Sequence, residues 1–220
     1  GLFLGWSLGA NDAANVFGTA VGTRMVSFGS AAIICSVFVI LGAIISGAGT
    51  TETLGKLGAI NALPGAFAAC VAAGISVYLM TKVGLPVSTT QAIVGAIVGW
   101  NLYTGSSTNI QVLITILATW ILCPIIAGII AMGLFTFTKR YILNRKLHIL
   151  RLDAYTRTAL LLAGAFGAYS LGANNIANVM GVFVPISPFT DINISNLFIF
   201  SSKEQLFLLG GLAIAVGVFT

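Results

Sequence analysis

The stretch Gly9-Ala10-Asn11-Asp12-Ala13-Ala14-Asn15 recurs as Gly172-Ala173-Asn174-Asn175-Ile176-Ala177-Asn178, with five of seven positions identical. Each copy lies inside an apolar run long enough to cross a bilayer, where about 20 mainly nonpolar residues are needed because lipid offers the backbone no hydrogen-bonding partner. Glycine with clustered polar side chains at that depth predicts an unwound helix, which exposes carbonyls to a cation at one half-helix end and N–H donors to an anion at the other. Asp12 is the only carboxylate within a predicted span. A charge there costs roughly 2.5–3.5 kcal/mol on insertion scales, so it belongs beside a polar cavity or a cation. The second copy replaces it with the neutral amide of Asn175.

Around these motifs the chain is 58% hydrophobic and 7% charged over 220 residues, far from the roughly 25% charge of a soluble domain. Span-length runs fall at residues 2–22, 30–50, 62–82, 86–104, 110–138 and 158–184, with a seventh beginning near 205. The fold class expected is an all-α polytopic membrane protein. Motif one lies in the first run and motif two in the sixth, so the copies point in opposite directions across the membrane, the mark of an inverted-topology repeat with a site where they meet. The domains read as a first repeat at 1–138, a basic cytoplasmic linker at 139–157 and the start of a second, inverted repeat at 158–220. This topology takes 86–104 as crossing fully, and a re-entrant element there remains the alternative.

Net charge is +5, yet six of the ten basic residues (Lys139, Arg140, Arg145, Lys146, Arg151 and Arg157) sit in that linker. This is an orientation signal and excludes a nucleic-acid footprint. With the linker inside, Arg24 and Lys82 fall inside too, and the loop carrying Glu52 and Lys56 falls outside without net charge. The linker's apolar and basic residues, Tyr141 to Leu152, alternate as in a helix lying in the anionic inner interface. His148, the only histidine, reads there as an interfacial polar group, and Trp100 and Tyr103 fit an aromatic belt. Cys35, Cys70 and Cys123 lack metal or disulfide spacing and read as buried single thiols. Gly1–Leu8 lacks the basic start and cleavage site of a signal peptide.

A third element, Gly84-Leu85-Pro86-Val87-Ser88-Thr89-Thr90-Gln91, puts proline at a helix start before four consecutive hydrogen-bonding side chains. Free N–H groups and hydroxyls converging on a positive helix end make an anion site. No Lys or Arg falls in the middle of a predicted span, so an anion at the midplane needs accompanying cations. Coupling to Na⁺ or H⁺ is the physical expectation. Small-residue pairs at Gly5/Gly9, Gly18/Gly22 and Gly95/Gly99 permit close helix packing, inside the chain or in a homodimer.

At GANDAAN, GANNIAN and PVSTTQ the sequence resembles the inorganic phosphate transporter (PiT) family of sodium- or proton-coupled permeases, over essentially the whole chain. The resemblance implies two inverted repeats, alternating access and phosphate bound beside Na⁺ in a multi-pass inner or plasma membrane, with no other cofactor. Carried over by position, phosphate would be held by Asn11, Asp12, Ser88, Thr89, Thr90, Asn174 and Asn175. Sodium would be held by Asp12, Asn15, Thr90, Gln91, Asn175 and Asn178. Asp12 also offers an acceptor for the proton of hydrogen phosphate that sulfate cannot supply, a basis for discrimination. GANNIAN departs from the acidic residue of many members. A second PVSTT-type element is expected near residue 249, so this chain reads as lacking the C-terminal part of the second repeat. A proton-coupled permease or one for a sulfate-like oxyanion stays open, as does a channel. An intramembrane enzyme does not fit a single mid-span Asp and a lone linker His.

Overall fold

The computed structural model of the chain describes residues 1–57, 63–85, 87–143, 148–195 and 198–220. Among them run seven α-helices: α1 Leu2–Gly22, α2 Phe28–Gly55, α3 Leu63–Lys82, α4 Thr89–Thr104, α5 Ile110–Thr138, α6 Ile149–Met180 and α7 Ser202–Val218. Short polar residues start them where the spans predict. Ser27, Ser88 and Asn109 cap α2, α4 and α5 with side-chain oxygens, and Ser201 with Glu204 forms a reciprocal capping box at α7, each satisfying first-turn N–H groups that have no helical partner. Gly105, at φ +71°, closes α4 in the left-handed conformation that glycine adopts without strain.

Two crossings hold the bundle together, and they are copies of one another. A Cβ at Gly9 would overlap the Ile214 carbonyl on α7, and a Cβ at Gly172 would overlap the Val39 carbonyl on α2. Reciprocally, Gly217 abuts the Trp6 carbonyl and Gly42 the Tyr169 carbonyl. Trp6 and Tyr169 stand 163 residues apart, as Gly9 and Gly172 do, and Val39/Ile214 and Gly42/Gly217 share a second common offset of 175. The first helix of each repeat therefore rests on the second helix of the other. Backbones this close exclude any side chain, which is why glycine occupies each contact.

This geometry corrects one expectation. α1 and α6 run unbroken through both motifs. The motif glycines serve the crossings, and the asparagine side chains carry the polar chemistry. The helical path changes instead just past the second motif, where Gly181–Ile186 forms a 3₁₀ helix containing Pro185.

The helix within residues 86–104 is shorter than a full crossing requires, whereas α3 is long and apolar enough for one. α4 has 16 residues, roughly 24 Å at 1.5 Å per residue, short of a hydrocarbon core of about 30 Å. Asn11 lies eleven residues before the end of α1, roughly 16 Å or half a bilayer deep, and it donates to Thr81 in the last turn of α3. On the other side of the tip, Thr90 in the first turn of α4 meets Asn178 of the second motif. α3 and α4 thus form a helical hairpin whose two stems bond the two motifs. Asn109 N–H bonds the Leu57 carbonyl, so α5 starts beside the end of α2, opposite the linker. Pro86, within the hairpin tip, lies outside the described residues.

Other segments depart from expectation. Two short strands, Ile192–Ser195 and Phe198–Phe200, pair antiparallel between α6 and α7, giving this connection internal backbone partners. The expected interfacial helix is divided: Lys139–Leu143 prolongs α5 as a π-turn, residues 144–147, including Arg145 and Lys146, lie outside the described residues, and His148 caps α6 through its Nδ1. Cys35 and Cys70 are buried, whereas Cys123 is exposed. It sits on α5, where Ile116 alone is buried and the apolar surface faces outward all round, as suits lipid. Of the small-residue pairs, Gly5 and Gly9 face α7, while Gly18, Gly22, Gly95 and Gly99 have open space beside them.

Candidate functional site

The second motif builds a polar cluster from side chains alone. Asn178, 3% exposed, donates one amide hydrogen to Thr90 Oγ1 at 2.8 Å and the other to Asn175 Oδ1 at 2.9 Å. Asn175 passes its own amide to the Leu171 carbonyl at 3.1 Å, four residues earlier on the same helix. Both hydrogens of Asn178 are committed, which fixes its orientation. Thr90 accepts from Asn178, and its hydroxyl proton has no acceptor among the described residues, so it is available to an anion.

A cavity of about 190 Å³ opens beside this cluster, the liquid-volume share of about six waters. Thr50, Thr90, Thr119, Trp120, Asn174 and Asn178 supply its polar and aromatic wall, and Leu54, Val94, Ile116 and Ala177 the apolar remainder. Thr50 is held by bonds to the Gly47 and Ala173 carbonyls. Four helices from both repeats contribute, as expected of a midplane site between repeats.

The start of α4 adds donors. Ser88 Oγ accepts the N–H of Gln91 at 3.3 Å, and the N–H groups of Thr89 and Thr90 have no helical partner at that position. Thr89 is buried and its Oγ1 has no partner among the described residues. Ser88 and Gln91 are exposed.

The first motif engages the other stem. Asn11 Nδ2 donates to Thr81 Oγ1 at 2.9 Å, and Thr81 donates onward to the Val77 carbonyl at 2.8 Å. Asp12 is part-buried and Asn15 exposed, and neither lines the cavity beside Asn178. The structure thus unites Thr90, Asn174, Asn175 and Asn178, ties Asn11 to the same hairpin, and leaves Asp12, Asn15, Ser88 and Gln91 apart from the cavity. The space along Ala10, Ala13 and Ala14 is a separate, apolar groove of about 420 Å³.

Sequence reading missed Thr50, Thr81, Thr119 and Trp120, since single threonines and tryptophans in apolar runs carry no motif. The Lys82 ammonium lies 5.3 Å from the Tyr78 ring centroid, and Tyr78 packs against Trp6 and Phe3 of α1. Such a contact is worth about 0.5–2 kcal/mol. The one ion pair among the described residues is Lys56–Glu52, elsewhere.

Comparison with known proteins agrees with this architecture. Residues 8–156 match the model of the phosphate transporter family. The chain is 34% identical over 198 residues to a Chlamydia pneumoniae protein named "Putative phosphate permease", covering 85% of this chain and 45% of that protein. It is 38% identical over 157 residues to a Pyrococcus furiosus protein of the same description, covering 66% and 38%. A Plasmodium falciparum protein named "Sodium-dependent phosphate transporter" is 33% identical over 156 residues, covering 66% and 23%. The chain therefore spans less than half the length of these relatives. A solved structure titled "The sodium-dependent phosphate transporter" superposes with a TM-score of 0.80 at 22% identity, covering 99% of this chain and 72% of that one, so the two share a fold. The chain belongs to the phosphate transporter family and is a helical membrane protein.

Proposed function

Given membership of the phosphate transporter family, we propose that this chain forms part of a secondary active transporter that takes up inorganic phosphate together with Na⁺ by alternating access across the inner or plasma membrane. The observation that carries the reading is the Asn178–Thr90 bond beside a cavity walled by both repeats. Neutral donors that converge on a hairpin tip suit a compact oxyanion, and they leave its charge to be offset by co-transported cations.

Phosphate is assigned to Asn11, Asp12, Ser88, Thr89, Thr90, Asn174 and Asn175. Sodium is assigned to Asp12, Asn15, Thr90, Gln91, Asn175 and Asn178. Asp12 supplies the formal negative charge that a cation needs, and it accepts the proton of hydrogen phosphate, which separates this substrate from sulfate. The names of the Plasmodium relative and of the solved structure support sodium as the coupling ion.

The test is tracer-phosphate uptake by the full-length protein in proteoliposomes. Accumulation above equilibrium that follows an imposed Na⁺ gradient is the expected result. Accumulation driven by a pH gradient alone would replace sodium with proton coupling, and equilibration without accumulation would indicate a channel.

A further inference from the structure

The likeness between α1 and α6 extends beyond the glycine crossings. Phe3-Leu4-Gly5-Trp6-Ser7-Leu8-Gly9-Ala10-Asn11 is matched by Phe166-Gly167-Ala168-Tyr169-Ser170-Leu171-Gly172-Ala173-Asn174, with six of nine positions identical. Phe3, Ser7 and Asn11 are spaced by four, so they share one face of α1. α3 covers that face. A Cβ at Gly74 would overlap the Phe3 ring, Tyr78 packs on Phe3 and Trp6 at centroid distances of 6.2 and 5.9 Å, and Thr81 accepts from Asn11. Ser7, between Phe3 and Asn11 on this face, is 2% exposed.

The same face of α6 is bare. Phe166 is 73% exposed, and Ser170 and Asn174 are exposed with it. The other grip on the hairpin is used once in the same way: Asn178 reaches Thr90 at the start of α4, whereas its counterpart Asn15 is exposed. Hydrocarbon offers no partner to an amide or a hydroxyl, so a stripe that alternates aromatic and polar groups suits protein better than lipid.

We propose that the Phe166, Ser170 and Asn174 face of α6, together with Asn15, seats a second helical hairpin of the α3–α4 kind, carried by the full-length polypeptide. Two observations select this occupant. The face copies one that already holds such a hairpin, and the chain spans less than half the length of its relatives. The seat also defines the partner's chemistry. Its first helix carries a small residue, an aromatic four residues on and a hydroxyl three further, as Gly74, Tyr78 and Thr81 do in α3, and its second helix opens on a hydroxyl for Asn15. Asn174 also lines the cavity beside Asn178, so the seated hairpin borders that cavity. The inference needs the fold alone and holds whatever the substrate is.

The experiment places photoreactive p-benzoylphenylalanine at Phe166 of the full-length protein in proteoliposomes, with the same residue at Phe3 as reference. After illumination, mass spectrometry should find the Phe3 probe joined to α3 and the Phe166 probe joined to a peptide of the same chain outside residues 1–220. Adducts to lipid alone overturn the proposal. A crosslinked dimer assigns the face to a second copy and overturns it too. A second measurement is melting in detergent: Asn174→Ala should lower the melting temperature by as much as Asn11→Ala does, through loss of the matching buried hydrogen bond. An Asn174→Ala protein that melts with the wild type overturns the seat even where the photoreactive variant fails to fold.

Discussion

Asn178 donates its side-chain amide to the hydroxyl of Thr90 across 88 residues of sequence, and this bond joins the second motif to the tip of a hairpin that belongs to the first repeat. Asn11 grips the opposite stem through Thr81. Two copies of one motif thus close on one hairpin from either side.

Breaking the Asn178 link should be costly. Asn178→Ala removes the partner of both Thr90 and Asn175 in a buried setting, a loss of about 1–3 kcal/mol. Thermal melting in detergent should register it, and phosphate uptake should fall with it. A double-mutant cycle with Thr90→Ala should show coupling, and strictly additive effects would rule out a working Asn178–Thr90 bond.

Asp12→Asn is expected to preserve the fold, because the second copy carries Asn175 at the matching position of an intact helix. Phosphate uptake should drop roughly ten- to hundredfold through loss of a charged acceptor. Discrimination against sulfate should narrow. Unchanged competition by sulfate would remove Asp12 from substrate selection.

The crossings make a sharper structural prediction. Gly9→Ala and Gly172→Ala each drive a methyl into a carbonyl of the facing helix and should cost about 1–3 kcal/mol. Gly18→Ala and Gly99→Ala meet nothing and should hold or gain stability, by up to about 1 kcal/mol from helix propensity. Melting temperatures of the four variants decide the matter.

A spin label at Leu85 reports hairpin depth. A re-entrant α3–α4 hairpin places it well inside the hydrocarbon region, about 10–15 Å from the surface, as read from accessibility to oxygen and to a polar relaxant. A label reporting the headgroup level would restore two full crossings at α3 and α4.

The spans were legible because lipid demands a composition that nothing soluble has. Residues 62–104 were not legible in the same way, since an apolar run does not show where its helix starts, and α4 begins only at Thr89 and runs 16 residues. What ties α3 and α4 to the two motifs are Asn11–Thr81 and Asn178–Thr90, contacts that no local pattern encodes. Gly9 and Gly172 were misread for a related reason: a glycine beside asparagines looks the same whether it loosens a helix or seats one against a neighbour. The cavity-facing Thr90, Asn174 and Asn178 were visible as clustered polar groups at membrane depth, whereas Thr50 and Thr119 stand alone among apolar residues.

The exchange of partners between repeats bears on biogenesis. Gly9 emerges from the ribosome 205 residues before Ile214, the carbonyl it rests on. At about 5–20 residues per second the first helix waits roughly 10–40 s for its seat. During that interval its polar face and bare glycine ridge must be sheltered by the insertion machinery or by provisional neighbours. With each first helix seated on the other repeat, severed halves should regain activity only when made in the same membrane at the same time.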